Sequence, residues 1–214
     1  MNPSRPFPGG IYALTPETAD TARLLTLVEA ALAGGVAAVQ YRDKSADVAR
    51  RYEQASELVA LCRRFGVPLI VNDDLRLADL ADADGVHLGR DDGSLREARI
   101  ILGPKKFVGA SCYQSLDLAK AALDAGADYV AFGSFFPSPT KPDAPRASLD
   151  VLRSAREAIC VPLVAIGGIT SGNAATLLDA GADSLAVLSA LFNAPDVRAA
   201  AHDLNQLFAT EPEE

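Results

Sequence analysis

The 214-residue sequence has no tryptophan, a single methionine and only 6% aromatic residues. Its core must therefore be built from small and branched aliphatic side chains, and the chain is 49% apolar, too hydrophobic for a disordered segment. Cysteine is scarce too. Cys62, Cys112 and Cys160 are odd in number, far apart and without Cys-x-x-Cys spacing, which argues against a disulfide framework or a zinc site and for a reducing, cytoplasmic setting. No apolar run approaches the roughly 20 residues of a membrane helix, and residues 1–10 lack the apolar centre and cleavage pattern of a secretory signal. Positive charge is also short: 20 Lys and Arg against 28 Asp and Glu leave a net charge of -8. Nucleic acid and anionic membrane surfaces call for basic patches, so neither is an expected partner. A few cations placed locally can still hold phosphate.

What the chain does have is a rhythm. Eight short apolar runs each stop at a polar or glycine residue and are followed by an amphipathic stretch: Leu14-Thr15, Val39-Gln40, Val71-Asn72-Asp73, His87-Leu88-Gly89, Ala110-Ser111, Phe132-Gly133-Ser134, Ile166-Gly167-Gly168 and Leu188-Ser189. Runs apolar on both faces read as buried parallel strands, expected at 10–14, 36–41, 67–72, 85–88, 106–111, 129–133, 161–166 and 184–188. Helices are expected at 19–33, 47–64, 75–81, 94–101, 115–124, 148–158, 173–179 and 196–208. Ser45, Asp47, Ser115 and Ser148 stand as N-caps. Ala-Gly-Ala-Asp and its variants recur ahead of several strands, at 33–36, 83–86, 125–128 and 180–183, where glycine suits a tight turn out of a helix. The reading is one α/β domain, a (β/α)8 TIM barrel over 10–209, with loose segments at 1–9 and 210–214. Such barrels build their sites at the C-terminal ends of the strands, so the polar stops share one mouth.

Four constellations there can do chemistry. Gln40-Tyr41-Arg42-Asp43-Lys44 closes the second strand, and alternation sends Gln40, Arg42 and Lys44 to one side; two cations and an amide suit a diphosphate, while a solvated loop with an Arg–Asp pair is the plainer alternative. Asn72-Asp73-Asp74 and Asp91-Asp92 end neighbouring strands and can share a hard divalent cation, or Asp74 and Asp92 can simply cap helices. Ser138-Pro139-Thr140-Lys141, within the proline-rich insert 135–147, offers hydroxyls and an ammonium to a phosphate beneath a candidate lid. Gly167-Gly168 and Leu188-Ser189 end the seventh and eighth strands, where barrels commonly bind phosphate. His87 reads as a core-facing residue, His202 as a surface one and Cys112 as packing. No nucleophilic triad is evident.

Gln40-x-Arg42-x-Lys44, Asn72-Asp73-Asp74, Gly85-Val86-His87-Leu88-Gly89 with Asp92, Ser138-x-Thr140-Lys141 and Ile166-Gly167-Gly168-Ile169, taken in this order, resemble the thiamine phosphate synthase family from about Gly10 to the last helix. The resemblance implies joining a hydroxymethylpyrimidine diphosphate to a thiazole phosphate, with release of diphosphate. It implies that Gln40, Arg42, Lys44 and Asn72, with Tyr41 and Asp43 beside them, hold the pyrimidine diphosphate. Asp73 and Asp92 then hold Mg²⁺, Ser111 touches the pyrimidine and Lys141 the diphosphate. Ser138, Pro139, Thr140, Gly168, Leu188 and Ser189 hold the thiazole phosphate. Arg42, Lys44, Ser111 and Lys141 carry the catalytic roles. The sequence departs from the family pattern at Ser138, where Thr is usual, and at Arg90, where Gln is usual. Tyr113 stands where the sibling thiazole tautomerases carry His.

Abundant cations without an evident base suggest that the carbon–diphosphate bond breaks first and the thiazole nitrogen then attacks. Another phosphate-binding barrel enzyme, such as a tautomerase or sugar-phosphate isomerase, and a non-catalytic barrel that binds thiamine precursors are the alternatives. Small molecules are the expected partners, and a homo-oligomer is left open.

Overall fold

The computed structural model describes residues 6–137 and 145–208. Eight parallel strands, β1 (Gly10–Leu14), β2 (Ala38–Tyr41), β3 (Leu69–Asn72), β4 (Gly85–Leu88), β5 (Phe107–Tyr113), β6 (Tyr129–Gly133), β7 (Leu163–Ile166) and β8 (Ser184–Val187), close into a barrel in sequential order. Around it lie α1 (Thr21–Ala33), α2 (Val48–Phe65), α3 (Leu75–Leu80), α4 (Leu95–Leu102), α5 (Leu116–Asp124), α6 (Leu149–Ala158), α7 (Ala174–Asp179), a short α8 (Ser189–Phe192) and α9 (Val197–Gln206). The expected (β/α)8 TIM barrel is the fold.

The strands differ from expectation mainly at their starts. Those predicted from 67 and 161 begin two residues later, because Pro68 and Pro162 have no N–H to give the ladder. Their carbonyls nonetheless accept from Val39 and Val130. β5 runs on to Tyr113, with its register against β6 shifting between Ser111 and Tyr113. Asp47 and Ser115 cap α2 and α5 through their side chains; Ser148 stands at the N-cap of α6 without a side-chain bond, and Ser45 is not a cap.

The recurrent Ala-Gly-Ala-Asp has a second use that turn geometry did not reveal. Asp84, Asp128 and Asp183 each immediately precede an even-numbered strand, and each accepts from one N–H within the first two residues of the strand before it: Leu69 at 2.9 Å, Val108 at 2.7 Å and Leu163 at 2.7 Å. Arg99 of α4 pairs with Asp128, and Arg156 of α6 with Asp183. These clasps satisfy strand donors at the barrel floor that no preceding ladder partner reaches.

Phe7, within the segment 1–9 expected to be loose, is only 2% exposed. It stacks on Tyr129 with centroids 3.9 Å apart and packs edge-on to Tyr12 and Phe107. A chain poor in rings places four of them here, where the tapering barrel floor would otherwise leave a void.

Candidate active site

The C-terminal strand ends carry the expected residues, in an arrangement that alternation partly sorts. Gln40 points into the barrel, 4% exposed, and its amide nitrogen donates to Tyr12 Oη at 2.8 Å. Arg42 is held by its own N–H to Thr15 Oγ1 at 3.0 Å, and its guanidinium lies 3.9 Å from Glu17. Lys44 Nζ stands 3.7 Å from Asp73 Oδ2.

Tyr41 and Asp43 depart from the expectation that they touch substrate. Tyr41 points outward into the helix layer, its hydroxyl donating to Gln54 Oε1 at 2.9 Å. The Asp43 carboxylate is buried, accepts from Ser45 N at 2.6 Å and faces Arg50 at 3.7 Å. Both are on the odd side of the alternation, so they anchor the loop that presents Arg42 and Lys44 instead of lining the mouth.

Asp74 takes the plainer reading: it caps α3 through Leu77 N at 2.9 Å and pairs with Arg51 at 2.7 Å. Asp92 does not cap α4, whose N-cap is Ser94. Its Oδ2 accepts instead from Gly89 N at 2.8 Å, folding the β4–α4 loop so that this carboxylate meets that of Asp73. Asp73 has φ +64, a left-handed backbone that few residues other than glycine adopt, and its N–H is tied to the His87 carbonyl at 2.8 Å. Burial, then the Asp92 carboxylate, holds the Asp73 carboxyl above its usual range, while Lys44 and the Asn72 amide pull the other way.

Two carboxylates with unmet negative charge suit one divalent cation. Among the described residues there is no cluster of three or more acidic, histidine or cysteine ligands. That donor set fits Mg²⁺, which keeps water or substrate phosphate in most of its octahedron, better than a metal needing an all-protein cage. A cleft of about 420 Å³ opens beside the pair, with Arg51, Arg76 and Glu97 on its walls. Arg90, the departure from the family pattern, has its guanidinium 5.2 Å over the Tyr113 ring.

On the opposite side of the mouth Gly168 has φ +62, and a Cβ there would run into the Pro137 carbonyl, so only glycine lets the β7 and β6 loops meet. Ser189 begins α8 directly after Leu188. Ser138, Pro139, Thr140 and Lys141 lie outside the described residues.

Sequence reasoning missed what lies beneath the mouth. Tyr12 Oη and Tyr129 Oη are 3.0 Å apart, Tyr129 Oη is 3.1 Å from His87 Nδ1, and His87 Nε2 is 2.9 Å from Ser111 Oγ. The one available signal was a tyrosine at an inward position of each of two apolar strands. His87 is core-facing, as its apolar strand implied. Cys62 and Cys112 are buried, and burial pushes both thiols up to about 12.

Burial lowers the His87 imidazole to about 4, against a slight upward pull from Asp92. Between that value and the unfolded one near 6.5, the unfolded chain binds more protons, so the stability present above pH ~6.5 falls as the pH drops toward 4. The difference amounts to about 3 kcal/mol. Denaturant titrations at pH 7.5 and 4.5 should show the native sequence losing about that much more than His87→Gln; parallel losses would rule out a buried neutral imidazole.

Fold and mouth together define an enzyme class: a (β/α)8 barrel that gathers cations and paired carboxylates at the C-terminal ends of its strands. The thiamine monophosphate synthase family model matches residues 11–191. A thiamine-phosphate synthase from Thiobacillus denitrificans is 79% identical over 98% of this chain and 100% of that protein. One from Methylobacillus flagellatus is 56% identical over 93% of this chain and 95% of its own length. The solved structure of a thiamine phosphate pyrophosphorylase from Pyrococcus furiosus superposes with a TM-score of 0.82 at 38% identity, covering 92% of this chain and 94% of that one. The chain belongs to the thiamine monophosphate synthase family, transferases of thiamine biosynthesis. No helix of the described residues is long and apolar enough to cross a membrane.

Proposed function

We propose that this barrel joins a hydroxymethylpyrimidine diphosphate to a thiazole phosphate, giving thiamine phosphate and diphosphate. The observation that carries the reading is the Asp73–Asp92 pair with Lys44 3.7 Å away, mixed charge suited to a diphosphate and its cation. Asp73 and Asp92 would hold Mg²⁺, which supplies neutralisation of the leaving diphosphate when bound. Arg42 and Lys44 meet the charge that grows on the diphosphate as its bond to the pyrimidine methylene breaks. Gln40 and Ser111 hold the ring from within the barrel, and Asn72 steadies the Asp73 carboxylate. Gly168, Leu188 and Ser189 line the side where the thiazole phosphate docks, with Ser138, Thr140 and Lys141 of the neighbouring loop assigned by family likeness. No side chain is required as a general base, because the thiazole nitrogen attacks with its own lone pair.

Three free cysteines, two of them buried, fit a reducing cytoplasm. Mixing the two precursors with Mg²⁺ should release one diphosphate per thiamine phosphate formed. Folded protein that releases none overturns the assignment.

A further inference from the structure

Five side chains from five strands form one continuous file through the barrel interior: Gln40 (β2), Tyr12 (β1), Tyr129 (β6), His87 (β4) and Ser111 (β5). Its two ends, Gln40 and Ser111, stand at the polar strand-end stops, and Tyr12 and Tyr129 lie 1% and 0% exposed within. We propose that Tyr12, Tyr129 and His87 are positioning residues: a buried relay that fixes Gln40 as acceptor and Ser111 as donor toward the substrate ring, and so selects an aminopyrimidine over its oxo analogue. This selectivity rests on the pyrimidine diphosphate reading above; the order of protons in the file does not.

The order follows from counting protons. Tyr12 Oη has two neighbours, the Gln40 amide nitrogen at 2.8 Å and Tyr129 Oη at 3.0 Å. An amide nitrogen only donates, so the Tyr12 proton goes to Tyr129. Tyr129, having accepted one, gives its own to His87 Nδ1 at 3.1 Å. A neutral imidazole then carries its single proton on Nε2 and donates to Ser111 Oγ at 2.9 Å. Ser111 keeps a hydroxyl proton for the mouth, and Gln40 keeps Oε1 as an acceptor. With Gln40 so oriented, reversing any link strands a phenolic proton at Tyr12 or Tyr129, which are 1% and 0% exposed, and an unpaired buried donor is heavily penalised. Burial, which dominates at both phenols, raises them well above their usual value, so neither proton is lost to ionisation.

An aminopyrimidine is complementary to these ends. Its amino group donates to Gln40 Oε1, and a ring nitrogen accepts from Ser111. The oxo analogue replaces that donor with a carbonyl and puts a proton on the neighbouring ring nitrogen, so it opposes the file unless every link reverses, including a turn of the Gln40 amide.

The chain has only two histidines, and the other, His202, is exposed, so imidazole nitrogen resonances can be assigned by a His202→Gln comparison. In ¹⁵N spectra of the full-length protein without substrate at pH 7.5, His87 should be a single Nε2–H tautomer; an Nδ1–H form or a mixture overturns the relay whatever the enzyme's substrate. In turnover, native protein should favour the aminopyrimidine diphosphate over the oxo diphosphate by on the order of 10⁴ in kcat/KM. Tyr129→Phe should lower that ratio at least about tenfold, and an unchanged ratio overturns the selectivity. Should Tyr129→Phe fail to fold, Tyr12→Phe breaks the same file, and the native tautomer needs no variant at all. Native protein that turns over neither diphosphate refutes the proposed function instead, and the tautomer measurement still decides the relay.

Discussion

Replacing both Asp73 and Asp92 with asparagine should abolish Mg²⁺-stimulated diphosphate release, a fall of about 10³-fold or more, without lowering the melting temperature. The two effects separate because the native pair is under electrostatic tension. The Asp73 carboxyl is held above its usual range by burial and by Asp92, so removing both charges relieves repulsion. Asparagine in place of Asp92 retains an oxygen to accept from Gly89 N, the bond Asp92 makes at 2.8 Å. Asparagine in place of Asp73 tolerates φ +64 at least as well as aspartate does. A shape-preserving change that removes function and spares stability marks groups kept for charge. Turnover still stimulated by Mg²⁺ in the double variant would put the ion elsewhere; a collapse of melting temperature would make the pair structural.

At the other end of the barrel the expected effect is on stability alone. Asp128→Ala should cost about 3 kcal/mol, roughly 10 °C of melting temperature for a domain of this size. The Asp128 side chain is 3% exposed, and it pairs with Arg99 and accepts from Val108 N at 2.7 Å. Its carboxyl sits above the usual range because burial outweighs the Arg99 and backbone bonds. At neutral pH the ionised carboxylate therefore adds no net stability of its own. Breaking the pair is costly all the same, since a guanidinium and a strand N–H lose their partner away from water. Asp183→Ala removes the equivalent clasp, but Asp183 is 39% exposed and water replaces it, so its loss should be less than half as large. Equal losses in the two variants would contradict this ranking by burial.

The sequence showed much of this architecture because its information is local. Short runs apolar on both faces give buried parallel strands, and the polar residue ending each run gives the mouth. Strand alternation already separated Gln40, Arg42 and Lys44 from Tyr41 and Asp43, and the structure keeps that separation: the first three face the interior and mouth, the other two the helix layer. Pattern failed where an element is too short to have a period, as in the four residues of α8. It failed again where a leader residue fills a hole made by distant strands, as Phe7 does under the floor. It also offered Asp92 as a helix cap alongside Asp74, although only Asp74 caps one; the left-handed backbone at Asp73 and the Gly89 contact of Asp92 bring those two together.

The chain by itself thus determined the number and order of its strands, the end at which chemistry gathers and the faces on which its cations lie, all of which follow from periodicity and composition within a few residues. The tertiary structure alone decided which inward side chains touch. Tyr12 and Tyr129 are 117 residues apart and 3.0 Å from each other, and no local preference draws them together. They meet because closing β8 onto β1 turns eight strand faces into one interior, where each buried hydroxyl must find a partner across the axis.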